Sequence, residues 1–223
     1  DFIGEGYLVL RGALAPAAPP AGLKAFGQPL AASDGDAARA LAERLPEQVF
    51  TPPTLRLLRA ILDDNPTLHR IVSGVDRRRT GFEQPSAAEA LPSPAECLLL
   101  VFGLAAEPTA GLRLDIVRGS HELPEFTGHG RSRWLADTPA DREPAALELA
   151  REFGASVETI DVGPRDIALL GPGMLHRLRP PPEGVLALRA WCLPARISPT
   201  RMLMPGHDGG VQVAHPSGAM LAL

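Results

Sequence analysis

Two residues in the stretch 159–194 have the type and setting to do chemistry. His176 alternates with Met174 and Leu178, so in an extended strand its imidazole shares a face with two apolar side chains. Arg189 alternates in the same way with Val185, Ala187 and Trp191. A guanidinium among such neighbours is costly unless it meets an anion, and its planar fork matches a carboxylate. The stretch therefore offers an imidazole ligand and a carboxylate clamp on neighbouring strands. The plainer alternatives are a core histidine at 176 and an ion pair of Arg189 with Glu158 or Asp161.

The elements that must position these groups follow from periodicity. Residues 156–162, 166–170 and 185–193 read as strands, with Gly171-Pro172-Gly173 turning the chain before His176. The unbroken apolar run 97–102 predicts a central strand buried on both faces. Leu112, Leu114 and Ile116 alternate with Arg113, Asp115 and Val117, a half-buried strand whose polar face carries Asp115, solvated or paired with Arg113 or Arg118. Residues 68–75 are a further strand, and 6–12 a short one closed by a turn. Helices are predicted over 34–45, from Thr51-Pro52 to Asn65-Pro66 with a stripe of Leu55, Leu58, Ile61 and Leu62, and over 139–153. Residues 122–137 read as a functional loop or lid around His129, and a final hairpin is expected near Asp208-Gly209-Gly210. Many short strands with a few helices predict a mainly β fold of sandwich or barrel type with helices packed outside. A single domain over 1–223 is expected: helices mainly in 34–63 and 139–153, a β core at about 68–194, and a tail at 195–223.

The 223 residues carry a formal charge of −4, so no global basic field recruits nucleic acid or membrane. Lys24 is the single lysine, and the Arg77–Arg79 run reads as a solvated loop. No apolar run is long enough for a membrane span, and no signal-peptide pattern is present. Cys97 and Cys192 lie in apolar runs and read as buried thiols in a reducing compartment, so a cytoplasmic location is expected. Neither has an adjacent histidine that would make it a nucleophile. The composition, rich in Ala, Pro and Arg, is compatible with a bacterial biosynthetic pathway.

The order of these pieces resembles the phytanoyl-CoA dioxygenase family of Fe(II)- and 2-oxoglutarate-dependent oxygenases. Residues 6–10 are similar to that family's opening strand. Residues 98–104, Gly111-Leu112 and Arg118-Gly119-Ser120-His121 are similar to its strand pair ending in a Gly-Ser-His turn. Residues 163–170 with His176 resemble the strand leading to its distal metal histidine, and Arg189 the arginine that binds the 2-oxoglutarate carboxylate. The resemblance implies a double-stranded β-helix (jelly-roll, cupin-like) fold. It also implies Fe(II) and 2-oxoglutarate as cofactors, a small-molecule substrate, and a pocket to which His121, Trp191 and Met174 contribute.

One half of the family's metal triad departs from the pattern. No His-x-Asp or His-x-Glu occurs in the chain; in the local match, residues 80–85, Glu83 takes the histidine's place and Pro85 the acid's. Glu83 is then the carboxylate that could join His176 at a metal. His69-Arg70-Ile71 keeps a histidine but puts isoleucine where the acid belongs, and His121 is a turn or pocket residue rather than a ligand. Two functions follow. The first is an oxygenase that hydroxylates or otherwise oxidises a small molecule, with His176 and Glu83 on iron and Arg189 on 2-oxoglutarate. The second is a degenerate relative without iron, whose pocket binds a ligand or partner or runs a non-redox cyclisation or isomerisation.

Overall fold

The computed structural model describes residues 2–14, 48–73, 82–85, 96–105, 111–122, 151–152, 154–183, 185–197, 212–214 and 220–222; within residues 69–73, 105, 212–214 and 220–222 only the backbone is described. A short helix α1 (Phe2–Glu5) leads into β1 (Tyr7–Leu10). Helix α2 (Pro52–Leu62) begins where a proline near its first position meets a helix start that needs no N–H donor, and it ends at Asp63 in the left-handed region, φ 49°. Strands follow at β2 (Pro66–Ser73), β3 (Leu98–Ala105), β4 (Leu112–Arg118), β5 (Ser156–Val162), β6 (Ile167–Leu170), β7 (His176–Leu178), β8 (Val185–Pro194), β9 (Gln212–Ala214) and β10 (Met220–Ala222).

The strands build a five-stranded sheet in the order β1-β6-β3-β8-β2, a three-stranded sheet β5-β4-β7, and a two-stranded ribbon β10-β9. Every pairing is antiparallel. The architecture is the jelly roll, two antiparallel sheets enclosing an apolar interior.

Alternation along the strands sorts the core into two layers. Leu99 and Val101 of β3, Leu114 and Ile116 of β4, Ala168 of β6 and Ala187 and Trp191 of β8 fill the space between the sheets. The other face of the large sheet, with Leu98, Leu100, Leu186 and Leu188, is covered by Leu58 and Leu62 of α2 and by Leu14, Val49 and Phe50. β3 is therefore buried on both sides, which is why its run is apolar without alternation.

The predicted strands at 68–75, 97–102, 112–117, 156–162, 166–170 and 185–193 and the second helix correspond to β2 to β6, β8 and α2. Three expectations change. Asp115 is not solvated, and the arginines that bind it are Arg177 and Arg179 rather than Arg113 or Arg118: it is 1% exposed, because β4 is the middle strand of its sheet and β7 with the residue that follows it brings both arginines alongside. The terminal hairpin is formed by β9 and β10, so its connection falls at 215–219 rather than at the glycines near 208. β7 is confined to three residues, with Met174 and Leu175 buried in the turn before it. The helix at 34–45, the loop around His129, Arg77–Arg79 and nearly all of the helix at 139–153 lie outside the described residues.

Candidate functional site

The site lies where the two sheets face each other. β8 carries Arg189, whose backbone stands opposite Val72 on one side and Val101 on the other. Since Val185, Ala187 and Trp191 point between the sheets, strand alternation sends Arg189 there too. On the opposite sheet β7 presents His176, paired with Ile116 of β4. The free edge of β7 is taken by an isolated bridge to Glu83: the Glu83 amide donates to the His176 carbonyl at 2.8 Å, and the His176 amide donates to the Glu83 carbonyl at 2.9 Å.

Two further bonds hold the 82–85 segment in place. Trp191 Nε1 donates to the Pro85 carbonyl at 2.9 Å, and Gln84 Nε2 donates to the Gly173 carbonyl at 3.1 Å. The Arg177 guanidinium lies 4.6 Å from the Phe82 ring centroid.

These constraints bring together three residues distant in sequence. The Arg189 Nη1 donates to Glu83 Oε1 across the sandwich. The same Oε1 is 3.6 Å from His176 Nε2, an ion-pair distance only if the ring is protonated and too long for a hydrogen bond. His176 is 1% exposed, the Arg189 side chain 11% and the Glu83 side chain 26%, so the carboxylate is the member that reaches solvent.

Burial disfavours the imidazolium and holds the His176 pKa below its ordinary value; the nearby Glu83 charge opposes this and Arg189 adds to it. The His176 Nδ1 is 3.3 Å from the Met174 carbonyl. A carbonyl only accepts, so the ring proton belongs on Nδ1 and Nε2 carries a lone pair. Both the buried Nε2 of His176 and the buried Nε of Arg189 lack a hydrogen-bond partner among the described residues.

Glu83, His176 and Arg189, each singled out in the sequence, thus converge, and the Arg189 anion is Glu83 rather than Glu158 or Asp161. Asp161 pairs instead with Arg113 at 3.5 Å, and Glu158 lies on the exposed side of β5. Trp191 and Met174 border the cluster, the indole 5.9 Å from the guanidinium and the Met174 carbonyl on the imidazole. His121 packs beside Met174 and Gly6. Its Nε2 donates to the Ile3 carbonyl at 3.2 Å, and its ring fills space that a Cβ on Gly6 would occupy, 2.4 Å away. His69 lies in β2, and its side chain is outside the description.

The residues missed in the sequence are those joined by backbone turns. Ser120 accepts from the Leu175 amide at 2.9 Å and donates to Met174 Sδ at 3.6 Å, tying the Gly-Ser-His turn to the start of β7. The signal available was the position of Ser120 in that turn.

The donors among the described residues fall short of an iron(II) facial triad, which takes two imidazoles and a carboxylate and leaves the other positions open. Among the described residues no group of three His, Cys, Asp or Glu side chains converges on a point. The two donors that do meet, His176 Nε2 and the Glu83 carboxylate, share their space with a guanidinium that already balances the carboxylate charge.

No protein-family model and no curated protein matches the chain. Solved structures do. The non-heme α-ketoglutarate-dependent epimerase SnoN from nogalamycin biosynthesis is 14% identical, with a TM-score of 0.54 covering 99% of this chain and 94% of that chain. The carbocyclase SnoK, likewise non-heme and α-ketoglutarate-dependent and from the same biosynthesis, is 13% identical at a TM-score of 0.52, covering 99% and 93%. The Kdo hydroxylase KdoO, a non-heme Fe(II) α-ketoglutarate-dependent dioxygenase, is 12% identical at 0.50, covering 87% and 81%. This chain has their fold. That likeness supports the jelly-roll reading.

Proposed function

We propose that this chain is a small-molecule-binding protein on a phytanoyl-CoA dioxygenase-like version of the oxygenase fold, and that its pocket works without iron. The observation that carries this reading is the commitment of Glu83, which stands where that family has a metal histidine, to Arg189. A carboxylate neutralised by a guanidinium has little affinity left for a divalent cation. What remains is a buried imidazole with an unpartnered Nε2 close to the Arg189–Glu83 pair. Such an arrangement can accept a proton at Nε2 while Arg189 steadies negative charge on the ligand, the requirement of an isomerisation or a cyclisation that needs no oxidant. It can equally bind a polar ligand without changing it. Solved structures of similar fold include an epimerase, a carbocyclase and a hydroxylase, so the scaffold accommodates varied small-molecule chemistry.

A second reading has one observation in its favour, the buried Nε2 of His176 without a partner and 3.6 Å from a carboxylate. In it His176 and Glu83 are two ligands of iron(II), Arg189 holds the 2-oxoglutarate carboxylate, and a further ligand comes from outside the described residues. Anaerobic reconstitution with iron(II), followed by metal analysis and 2-oxoglutarate consumption, separates the two. The metal-free reading predicts iron well below one equivalent and no consumption above background. Stoichiometric iron with turnover would overturn it.

A further inference from the structure

We propose that Ser120 is a positioning residue for His176. It holds the peptide between Met174 and Leu175 so that the ring proton stays on Nδ1 and the Nε2 lone pair faces the Glu83–Arg189 pair. The proposal deepens the pocket reading above, in which Nε2 accepts a proton, by naming the residue that keeps Nε2 an acceptor.

The chain of contacts runs through one peptide plane. The Leu175 N–H and the Met174 C=O belong to the same trans peptide, so they point in opposite directions across it. On one side the Leu175 amide donates to Ser120 Oγ at 2.9 Å. On the other the Met174 carbonyl faces His176 Nδ1 at 3.3 Å. Ser120 therefore aims the acceptor that fixes the imidazole proton without touching the ring. Its own hydroxyl proton goes to Met174 Sδ at 3.6 Å, which leaves the oxygen lone pairs for the amide. A hydrogen bond given by the N–H end also polarises the peptide and makes its carbonyl a better acceptor.

The aim matters because His176 has a rival acceptor. Glu83 Oε1 lies 3.6 Å from Nε2, and a ring with its proton on Nε2 would face a charged acceptor, the intrinsically stronger kind. Arg189 already donates to that oxygen, which weakens its pull. The two neutral forms of the ring are thus close in energy, and the placing of one carbonyl decides between them.

The chain around Ser120 is built to deliver it. The residue is polar yet 0% exposed. Gly119, with φ 84°, turns the backbone inward at the end of β4, and the Glu122 amide closes that turn on the Gly119 carbonyl at 3.2 Å. The backbone on either side of the 174–175 plane is anchored separately: the Met174 amide donates to the Gly171 carbonyl at 3.1 Å and the Val117 amide to the Leu175 carbonyl at 2.9 Å. What those bonds leave to the serine is the tilt of the plane between them.

The test reads the ring directly in the metal-free, nitrogen-labelled full chain. Two-bond proton–nitrogen correlation spectra at about pH 8, where an imidazole is neutral, show which ring nitrogen carries the proton, and His176→Gln identifies the signals. The wild type is expected to be predominantly protonated on Nδ1. Ser120→Ala is expected to shift the ratio at least about fivefold toward Nε2–H, the weight of one ordinary hydrogen bond. Ser120→Thr keeps the hydroxyl and is expected to stay near the wild-type ratio. Val162→Ala, a truncation of the core on β5, is expected to lower the Tm and leave the ratio unchanged. A wild-type ring protonated on Nε2, an unchanged ratio in folded Ser120→Ala, a folded Ser120→Thr that behaves like alanine, or an equal shift in Val162→Ala overturns the proposal. If circular dichroism shows Ser120→Ala unfolded, Met174→Leu, which removes the acceptor of the hydroxyl, carries the test: a smaller shift in the same direction supports the proposal and no shift overturns it. No ligand or metal enters these measurements, so their failure leaves the metal-free pocket reading standing. Stoichiometric iron binding would sink that reading without altering the ring state of the metal-free chain.

Discussion

The coupling between Glu83 and Arg189 has a magnitude that follows from their unequal burial. Glu83→Met removes the carboxylate and leaves Arg189, 11% exposed and with its Nε already unpartnered, without a counter-charge. Breaking a buried pair by removing one partner costs about 3–5 kcal/mol, and the partial exposure of this pair puts the expected cost near the low end, about 3 kcal/mol. Arg189→Met leaves a carboxylate that is 26% exposed and can turn to water, and the methionine keeps contact with Trp191, so the expected loss is about 1.5 kcal/mol. Replacing both by methionine removes charge and counter-charge together, which in buried pairs is often close to neutral; about 1 kcal/mol is expected. The singles therefore do not add, and the interaction energy is about 3.5 kcal/mol. Urea unfolding monitored by tryptophan fluorescence, with thermal melts as a second probe, measures this. For a chain of this size about 3 kcal/mol corresponds to a Tm drop of roughly 6–12 °C. Additivity within about 0.5 kcal/mol would refute the reasoning, because it would mean that the two side chains do not rely on each other in solution.

Other consequences are open to direct measurement. His176 is held below its ordinary pKa by burial, so the unfolded chain binds its proton first; stability is expected to be full above about pH 6.5 and to fall on acidification below it, and His176→Gln should flatten that part of the pH–stability curve. Asp115 stays below its ordinary pKa although burial pushes the other way, because hydrogen bonds from Arg179, Thr159 and Arg177 outweigh it; Asp115→Asn is expected to cost about 2–4 kcal/mol near neutral pH, with the difference from wild type narrowing in acid as wild-type Asp115 is itself protonated. Gly6→Ala places a Cβ 2.4 Å from the His121 ring and 2.6 Å from Met174 Cε at a residue with φ of +71°, and a loss of more than about 2 kcal/mol by chemical denaturation is expected, whereas Gly12→Ala, with open space at its Cβ, should cost less. The buried Cys97 thiol is pushed up to about 12 and Cys192 is raised further by burial, so a thiol reagent should modify neither in the native protein and both after denaturation.

How far this was legible in the sequence depended on whether a residue's environment is set along the chain or across it. The alternation of Val185, Ala187, Arg189 and Trp191 is local, and it correctly sent Arg189 inward. The position of His176 after a glycine turn likewise put it on a buried face. Asp115 alternated with leucines just as a solvated residue does, but its environment comes from β7, sixty residues on, which supplies Arg177 and Arg179 to neutralise it. The partner of Arg189 was not legible from alternation. Glu158 and Asp161 on β5 lay closer in sequence than Glu83, yet the bridge from Glu83 to His176 was what carried a carboxylate to the guanidinium. Only the motif comparison at residues 80–85 pointed to Glu83, and it pointed there by what it lacked.

Among the described residues no helix is long and apolar enough to cross a membrane. The measurement that bears most directly on the central claim is an anaerobic titration of the full chain with cobalt(II), followed by visible absorption. A pocket whose carboxylate is committed to Arg189 predicts no ligand-field band above that of free cobalt, in wild type and His176→Gln alike. A saturable band at one equivalent in the wild type that disappears in His176→Gln would contradict the account and place a metal at the site.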